Sequence, residues 1–204
     1  MTYSDFSSID LTRKFGIEFD AKHLFPNVTP IEPSGWLKES LERGENSGFG
    51  SEKSRSERLV SPILLEVSTN HNHEFSIYSG VNLDVDEALG LRGECDFIFS
   101  FSRIQDFVTA PVFCITEAKK QDLERGTIQA AAQLIGARRF NELENKEVNV
   151  LYAASTTGIE WRFLKYENNT ITIDEKRYLI TRLPQLLGVF DAIIEATKMQ
   201  NLVH

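Results

Sequence analysis

Hydrophobic residues alternate with polar ones in some stretches of the chain and recur at helical spacing in others. Residues 94–102, "ECDFIFSFS", place Cys95 and three phenylalanines on one side of an alternating pattern and Asp96 on the other. Such alternation predicts a β-strand. Residues 111–119, "PVFCITEAK", are apolar at successive positions, which is typical of a central strand buried on both faces. Residues 147–156, "EVNVLYAAST", predict a further strand.

Apolar residues at helical spacing predict four helices. The first covers residues 34–44, and the second lies within residues 51–70, where Ser54 and Glu57 have the spacing of a capping box. Pro62 either kinks this second helix or marks a later start for it. The other two helices are predicted at residues 126–145 and from about Pro184 onward.

The order of these elements predicts the fold class. With a strand at 73–80 and a hairpin at 160–180, the order is helix, strand, strand, strand, helix, strand, hairpin, helix. This order favours an α/β fold of the α+β kind, with a mixed sheet flanked by helices. The predicted boundaries are an arm with a short helix packed on the core over 1–50, and a main domain over 51–204 with its core at 54–154 and a C-terminal hairpin and helix at 159–202.

Composition limits the classes of partner. The chain has 204 residues, of which 41% are hydrophobic and 25% charged, and this is enough for one hydrophobic core without a metal or disulfide staple. The net charge of −8 argues against a broad basic surface that coats nucleic acid. A narrow cleft that uses a few lysines and bound cations is compatible with it.

The chain shows no pattern of export or membrane insertion. No apolar stretch approaches the roughly 20 residues of a membrane span, and the first residues do not resemble a signal peptide, so a cytoplasmic protein is expected. Cys95 and Cys114 lie in apolar strands, which favours two small core residues in a reducing compartment. A disulfide or a metal-binding cysteine pair is the alternative.

Charged residues in the two strongest strands form a candidate site. Glu117 and Lys119 are two apart on one strand and therefore face the same side, while Asp96 lies among apolar neighbours on the preceding strand. If the two strands pair, Asp96 and Glu117 converge, and two carboxylates at one point repel unless a cation binds. Mg²⁺ suits such a site because it takes one or two carboxylates and keeps water and phosphate as its other ligands.

The sequences "GECDFIFS" and "FCITEAKK" together resemble the signature of the PD-(D/E)XK nuclease superfamily. In this resemblance Asp96 is the aspartate and Glu117, Ala118 and Lys119 form the E-x-K motif, whereas Cys95 stands where the superfamily has its name-giving proline. The resemblance implies a restriction-endonuclease-like core with the order helix-strand-strand-strand-helix-strand. It also implies Mg²⁺, replaceable by Mn²⁺, bound by Asp96, Glu117 and the main-chain carbonyl of Ala118.

Further site residues follow from the same resemblance. Many members carry a glutamate on the first core helix that points toward the metal, which here corresponds to Glu57, with Glu66 as the second choice. Many also have a glutamine on the helix after the E-x-K motif. Gln129 and Gln133 are four residues apart on one helix face, and Gln129 is preferred. Lys120 points away from Lys119 and is interpreted as a surface residue.

The resemblance implies a metal-dependent nuclease that hydrolyses DNA phosphodiester bonds, with RNA as the alternative substrate. Asp96 and Glu117 would bind Mg²⁺ and Lys119 would assist the attacking water. A homodimer or a partner subunit would supply target binding, because the chain itself is acidic. Two other hypotheses are a binding or regulatory module with a degenerate metal site, and an ordinary α/β domain in which a buried hydrogen-bond network holds Asp96.

Overall fold

Eight strands and six α-helices make up the computed structural model, which describes residues 1–119 and 121–201. The strands are Glu18–Lys22 (β1), Ser76–Asn82 (β2), Glu94–Ser100 (β3), Val112–Ala118 (β4), Val150–Thr156 (β5), Glu160–Glu167 (β6), Thr170–Asp174 (β7) and Tyr178–Leu179 (β8). The helices are Ser8–Phe15 (α1), Gly35–Asn46 (α2), Glu52–Arg55 (α3), Ser61–Asn70 (α4), Leu123–Leu143 (α5) and Leu183–Asn201 (α6). Short 3₁₀ turns occupy Tyr3–Asp5 and Ile180–Arg182, and a π-helical turn occupies Ser56–Val60.

The strands join in one mixed sheet in the order β1-β7-β6-β5-β4-β3-β2, and β8 pairs with β6. The β1–β7 and β4–β5 pairs are parallel, and the other pairs are antiparallel. Helices cover the sheet, so the predicted mixed α/β fold is confirmed. From α4 to β5 the elements follow the order helix, strand, strand, strand, helix, strand.

The first fifty residues add a strand that the sequence pattern did not predict. Strand β1 pairs in parallel with β7 at the edge of the sheet, from Glu18 opposite Thr170 to Lys22 opposite Asp174. Only Phe19 and Ala21 are apolar in this strand, and all five residues are exposed or half-buried. An edge strand with so little apolar surface gives a weak sequence signal.

Two hydrophobic layers hold the sheet between its helices. On one face, Phe99 and Phe113 pack with their ring centroids 6.0 Å apart in a layer that includes residues of α4 and α6. On the other face, Ile98 and Ile115 share a layer with alanines of α5. Small side chains let the α5 backbone approach the sheet closely, which brings its polar residues near the end of β4.

The helix that precedes β2 is irregular at its start. Ser51 caps α3 by accepting a hydrogen bond from the backbone of Ser54, so the predicted capping box of Ser54 and Glu57 is wrong and the helix begins three residues earlier. The π-helical turn then links α3 to α4, and Pro62 lies in the first turn of α4, where a missing N–H is tolerated. The turn changes which residues of this helix face the sheet.

Neither cysteine forms a disulfide. Cys95 on β3 and Cys114 on β4 are both free and buried, which agrees with their interpretation as small core residues. Within the described residues, no helix is long and apolar enough to cross a membrane.

Candidate active site

Asp96 on β3 and Glu117 on β4 lie side by side on one face of the sheet. The two strands are antiparallel with Phe97 opposite Thr116, and the same register places Asp96 opposite Glu117. Directly opposite residues share a face, with their Cβ atoms about 5 Å apart. Oδ2 of Asp96 accepts a 2.7 Å hydrogen bond from the backbone N–H of Ala118. The structure therefore brings together the two carboxyl groups and disagrees with an arrangement on opposite faces.

Glu117 is held by polar groups from two directions. Its side chain is only 2% exposed, and its Oε1 lies 2.7 Å from Nζ of Lys119. Its Oε2 accepts a 2.7 Å hydrogen bond from Nε2 of Gln133 on α5. The backbone N–H of Lys119 donates to the carbonyl of Thr156 at 2.7 Å, which fixes the start of the loop that follows β4. Lys119 is thereby anchored by its backbone and by its ammonium group.

Burial and like charge shape the ionisation of the two carboxyl groups. Burial, followed by the negative charge of Asp96, raises the pKa of Glu117 to about 7, although Lys119 and Gln133 act in the opposite direction. Burial also raises the pKa of Asp96, against the hydrogen bond from Ala118 and the charge of Lys119. A nearby cation would favour the charged form of both groups.

The ammonium of Lys119 is held in its charged form. Burial lowers its pKa, but Glu117, then Glu52 and Asp96, raise it more, so the net shift is upward. Lys119 therefore carries a positive charge beside a buried and a half-buried carboxyl group at neutral pH.

Gln129 and Gln133 lie on one face of α5, and Gln133 contacts the site. They are 7% and 0% exposed, and in the part of the chain that the structure describes the Oε1 atom of each has no hydrogen-bond partner. Gln133 contacts Glu117, and Gln129 lies one helical turn closer to Gly126, which abuts Lys119. A buried acceptor without a donor is costly, so a ligand that supplies hydrogen-bond donors or positive charge suits this position.

The structure does not bring Glu57 into the cluster. Its side chain is 59% exposed, and its ion pair is with Lys53, at 3.9 Å. Glu66 is buried but binds Ser34, the N-cap of α2, from whose backbone and side chain its two oxygens accept hydrogen bonds of 2.6 and 2.8 Å. Lys120, predicted to be a surface residue, lies outside the described residues.

Glu52, at the start of α3, is the acidic residue that approaches the site from the helices that precede β2. Its Oε1 lies 3.8 Å from Nζ of Lys119, and its side chain is 50% exposed. The sequence pattern does not predict its role, because the capping-box spacing places the start of the helix at Ser54. The signal that identifies it is the serine at position 51, which makes Glu52 the first helical residue.

No protein-family model, curated protein or solved structure matches this chain. The oxygen donors that the structure brings together at the site are the carboxyl groups of Asp96 and Glu117.

Hard oxygen donors of this kind fit Mg²⁺ better than a soft metal ion. Among the described residues, no group of three or more His, Cys, Asp or Glu side chains is arranged to hold a metal ion. The ligand set is thus limited to the two carboxylates of Asp96 and Glu117, a number that suits Mg²⁺ because this ion keeps several waters. The residues present fit a hydrated magnesium ion.

Gly126 of α5 leaves room for Lys119. A Cβ atom at this position would overlap Oγ of Ser155 and lie 2.9 Å from Cγ of Lys119. We expect Gly126→Ala to displace the lysine stem and lower any activity that depends on Lys119 by about tenfold or more, since small misplacements at a reacting centre are costly. The overlap should also lower the free energy of unfolding by about 1–3 kcal/mol.

A matched variant controls for the change from glycine to alanine in a helix. Gly35 lies at the start of α2, and a Cβ atom added there would have no neighbouring atom within 4 Å. Gly35→Ala should leave stability and activity nearly unchanged in thermal melts and turnover assays. Equal behaviour of the two variants would contradict the packing role of Gly126.

Proposed function

We propose that this protein is a metal-dependent nuclease that hydrolyses phosphodiester bonds, with DNA as its substrate. The observation that carries the proposal is the pairing of Asp96 with Glu117 across β3 and β4, with Lys119 in contact with Glu117. The element order from α4 to β5 supports it, because it is the order that the motif resemblance implies.

Each side chain has a role that its position allows. Asp96, Glu117 and the carbonyl of Ala118 would hold Mg²⁺, which when bound would activate water and stabilise charge on the phosphate. The ammonium of Lys119 orients the attacking water and stabilises negative charge that develops on the phosphate oxygens. The amide oxygen of Gln129, which is buried and has no hydrogen-bond partner among the described residues, would accept a hydrogen bond from water at the site.

Target binding would require more than this chain's surface. The net charge of −8 is unfavourable for contact with a long stretch of DNA backbone. A partner subunit would supply the positive surface, or a second copy of the chain would present a second cleft, while Lys119 and the bound cation would act on the scissile phosphate.

Cleavage assays test this proposal directly. The purified protein should cut at least one member of a panel of linear, nicked and branched DNA in the presence of Mg²⁺ or Mn²⁺, and EDTA should stop the reaction. The same panel in RNA form tests the alternative substrate. If no member of either panel is cut at millimolar metal concentration, the isolated chain does not have the proposed nuclease activity.

A non-catalytic binding or regulatory module is the second candidate. It is favoured by one observation. Both oxygens of Glu117 already have partners, Lys119 and Gln133, so this side chain is stabilised without a metal ion. Calorimetry with Mn²⁺ separates the two candidates. A nuclease site should bind the ion with a measurable heat, and a module with a degenerate site should not.

A further inference from the structure

Lys119 lies between two acidic side chains at unequal distances. Its Nζ is 2.7 Å from Oε1 of Glu117 and 3.8 Å from Oε1 of Glu52. Glu117 is almost fully buried, whereas Glu52 is half-exposed at the start of α3. The ammonium thus contacts Glu117 and has a second acidic group close by.

The other carboxylate oxygen of Glu117 is not open to a ligand either. Oε2 accepts a hydrogen bond from Gln133, so a cation that approaches Glu117 meets either an amide or an ammonium group. The ammonium is the group that we expect to move, because a divalent cation on the same carboxyl group repels it strongly at short distance. Lys119 can move toward Glu52 by rotation of its side chain alone, while its backbone stays bonded to Thr156.

We propose that Glu52 is a positioning residue that receives the Lys119 ammonium when a divalent cation occupies Glu117. This inference rests on the proposed metal site. In the cation-free site Lys119 neutralises Glu117, and in the loaded site it pairs with Glu52 instead. Glu52 then acts through Lys119 and does not contact the metal ion.

This arrangement has a consequence for the reaction. When Lys119 pairs with Glu117, its ammonium occupies the carboxylate that would bind the metal ion. When Glu52 holds Lys119, the ammonium lies beside the site and its remaining N–H groups are available to water or phosphate. The exchange of partners would therefore couple loading of the site to the placement of the catalytic ammonium.

A double-mutant cycle read by Mn²⁺ calorimetry tests the inference at pH 8. We expect Glu52→Gln to weaken Mn²⁺ binding about fivefold when Lys119 is present, since the displaced ammonium loses its alternative partner. In the Lys119→Met background the same change should alter the affinity less than about twofold. Glu42→Gln, an exposed glutamate of α2, is the matched control and should leave Mn²⁺ affinity unchanged in both backgrounds.

The cycle separates this inference from its alternatives. Equal weakening by Glu52→Gln in both backgrounds would overturn it, because Glu52 would then act on the ion directly or through its field. No effect in either background would also overturn it. If the wild-type chain shows no Mn²⁺ binding at all, the proposed metal site fails, and this inference fails with it.

Discussion

Asp96→Asn should reduce Mg²⁺-dependent cleavage at least about 100-fold and abolish the heat of Mn²⁺ binding. The substitution removes one of the two carboxylates that face each other across β3 and β4. An asparagine Oδ1 can still accept the hydrogen bond from the backbone of Ala118, so the strand pairing should survive. Loss of function without loss of fold is therefore the expected result.

Thermal melts and a matched variant complete this test. Asp106 lies exposed in the loop between β3 and β4, and Asp106→Asn makes the same chemical change away from the site. Its activity and Mn²⁺ affinity should equal those of the wild-type protein. Cleavage by Asp96→Asn at a wild-type rate would mean that the carboxyl pair is not the metal site.

The strands that carry the site could be predicted because their sequence patterns are strong. Alternation in β3 and an apolar run in β4 fix which side of each strand Asp96 and Glu117 occupy. Because consecutive strands often pair in antiparallel fashion, the close approach of the Asp96 and Glu117 side chains could then be predicted. The shared helix face of Gln129 and Gln133 could be predicted equally well, since a spacing of four residues on a helix places two side chains on one face.

The approach of Glu52, the first residue of α3, to the site could not be predicted in the same way. A π-helical turn at Ser56–Val60 has more residues per turn than an α-helix, and a pattern with a period of 3.6 residues does not reveal it. The cap at Ser51 has a serine rather than an acidic residue as its partner, so the capping-box pattern favoured the wrong start. For both reasons the sequence pattern predicts Glu57 as the acidic residue near the site, whereas the structure places Glu52 near Lys119.

Glu117→Gln should stabilise the protein at pH 8 while it abolishes metal binding and cleavage. The pKa of Glu117 is raised from 4.5 to about 7, chiefly by burial, which means that the folded state holds its proton more tightly than the unfolded state does. Stability therefore falls as pH rises from about 4.5 through 7, and the shift corresponds to about 3 kcal/mol. Glutamine resembles the protonated carboxyl group and avoids this loss.

The pH dependence of the melting temperature distinguishes this cause from a general packing effect. At pH 8 the Glu117→Gln variant should melt roughly 6 °C above the wild-type protein, and at pH 5 the difference should shrink to about 2 °C or less. A gain that is equal at both pH values would show that ionisation of Glu117 is not its source. A lower melting temperature at pH 8 would show that the pair with Lys119 contributes more to stability than burial of the carboxylate costs. A buried carboxylate that binds a cation lowers the stability of the metal-free protein, so its replacement by glutamine should raise the melting temperature at pH 8.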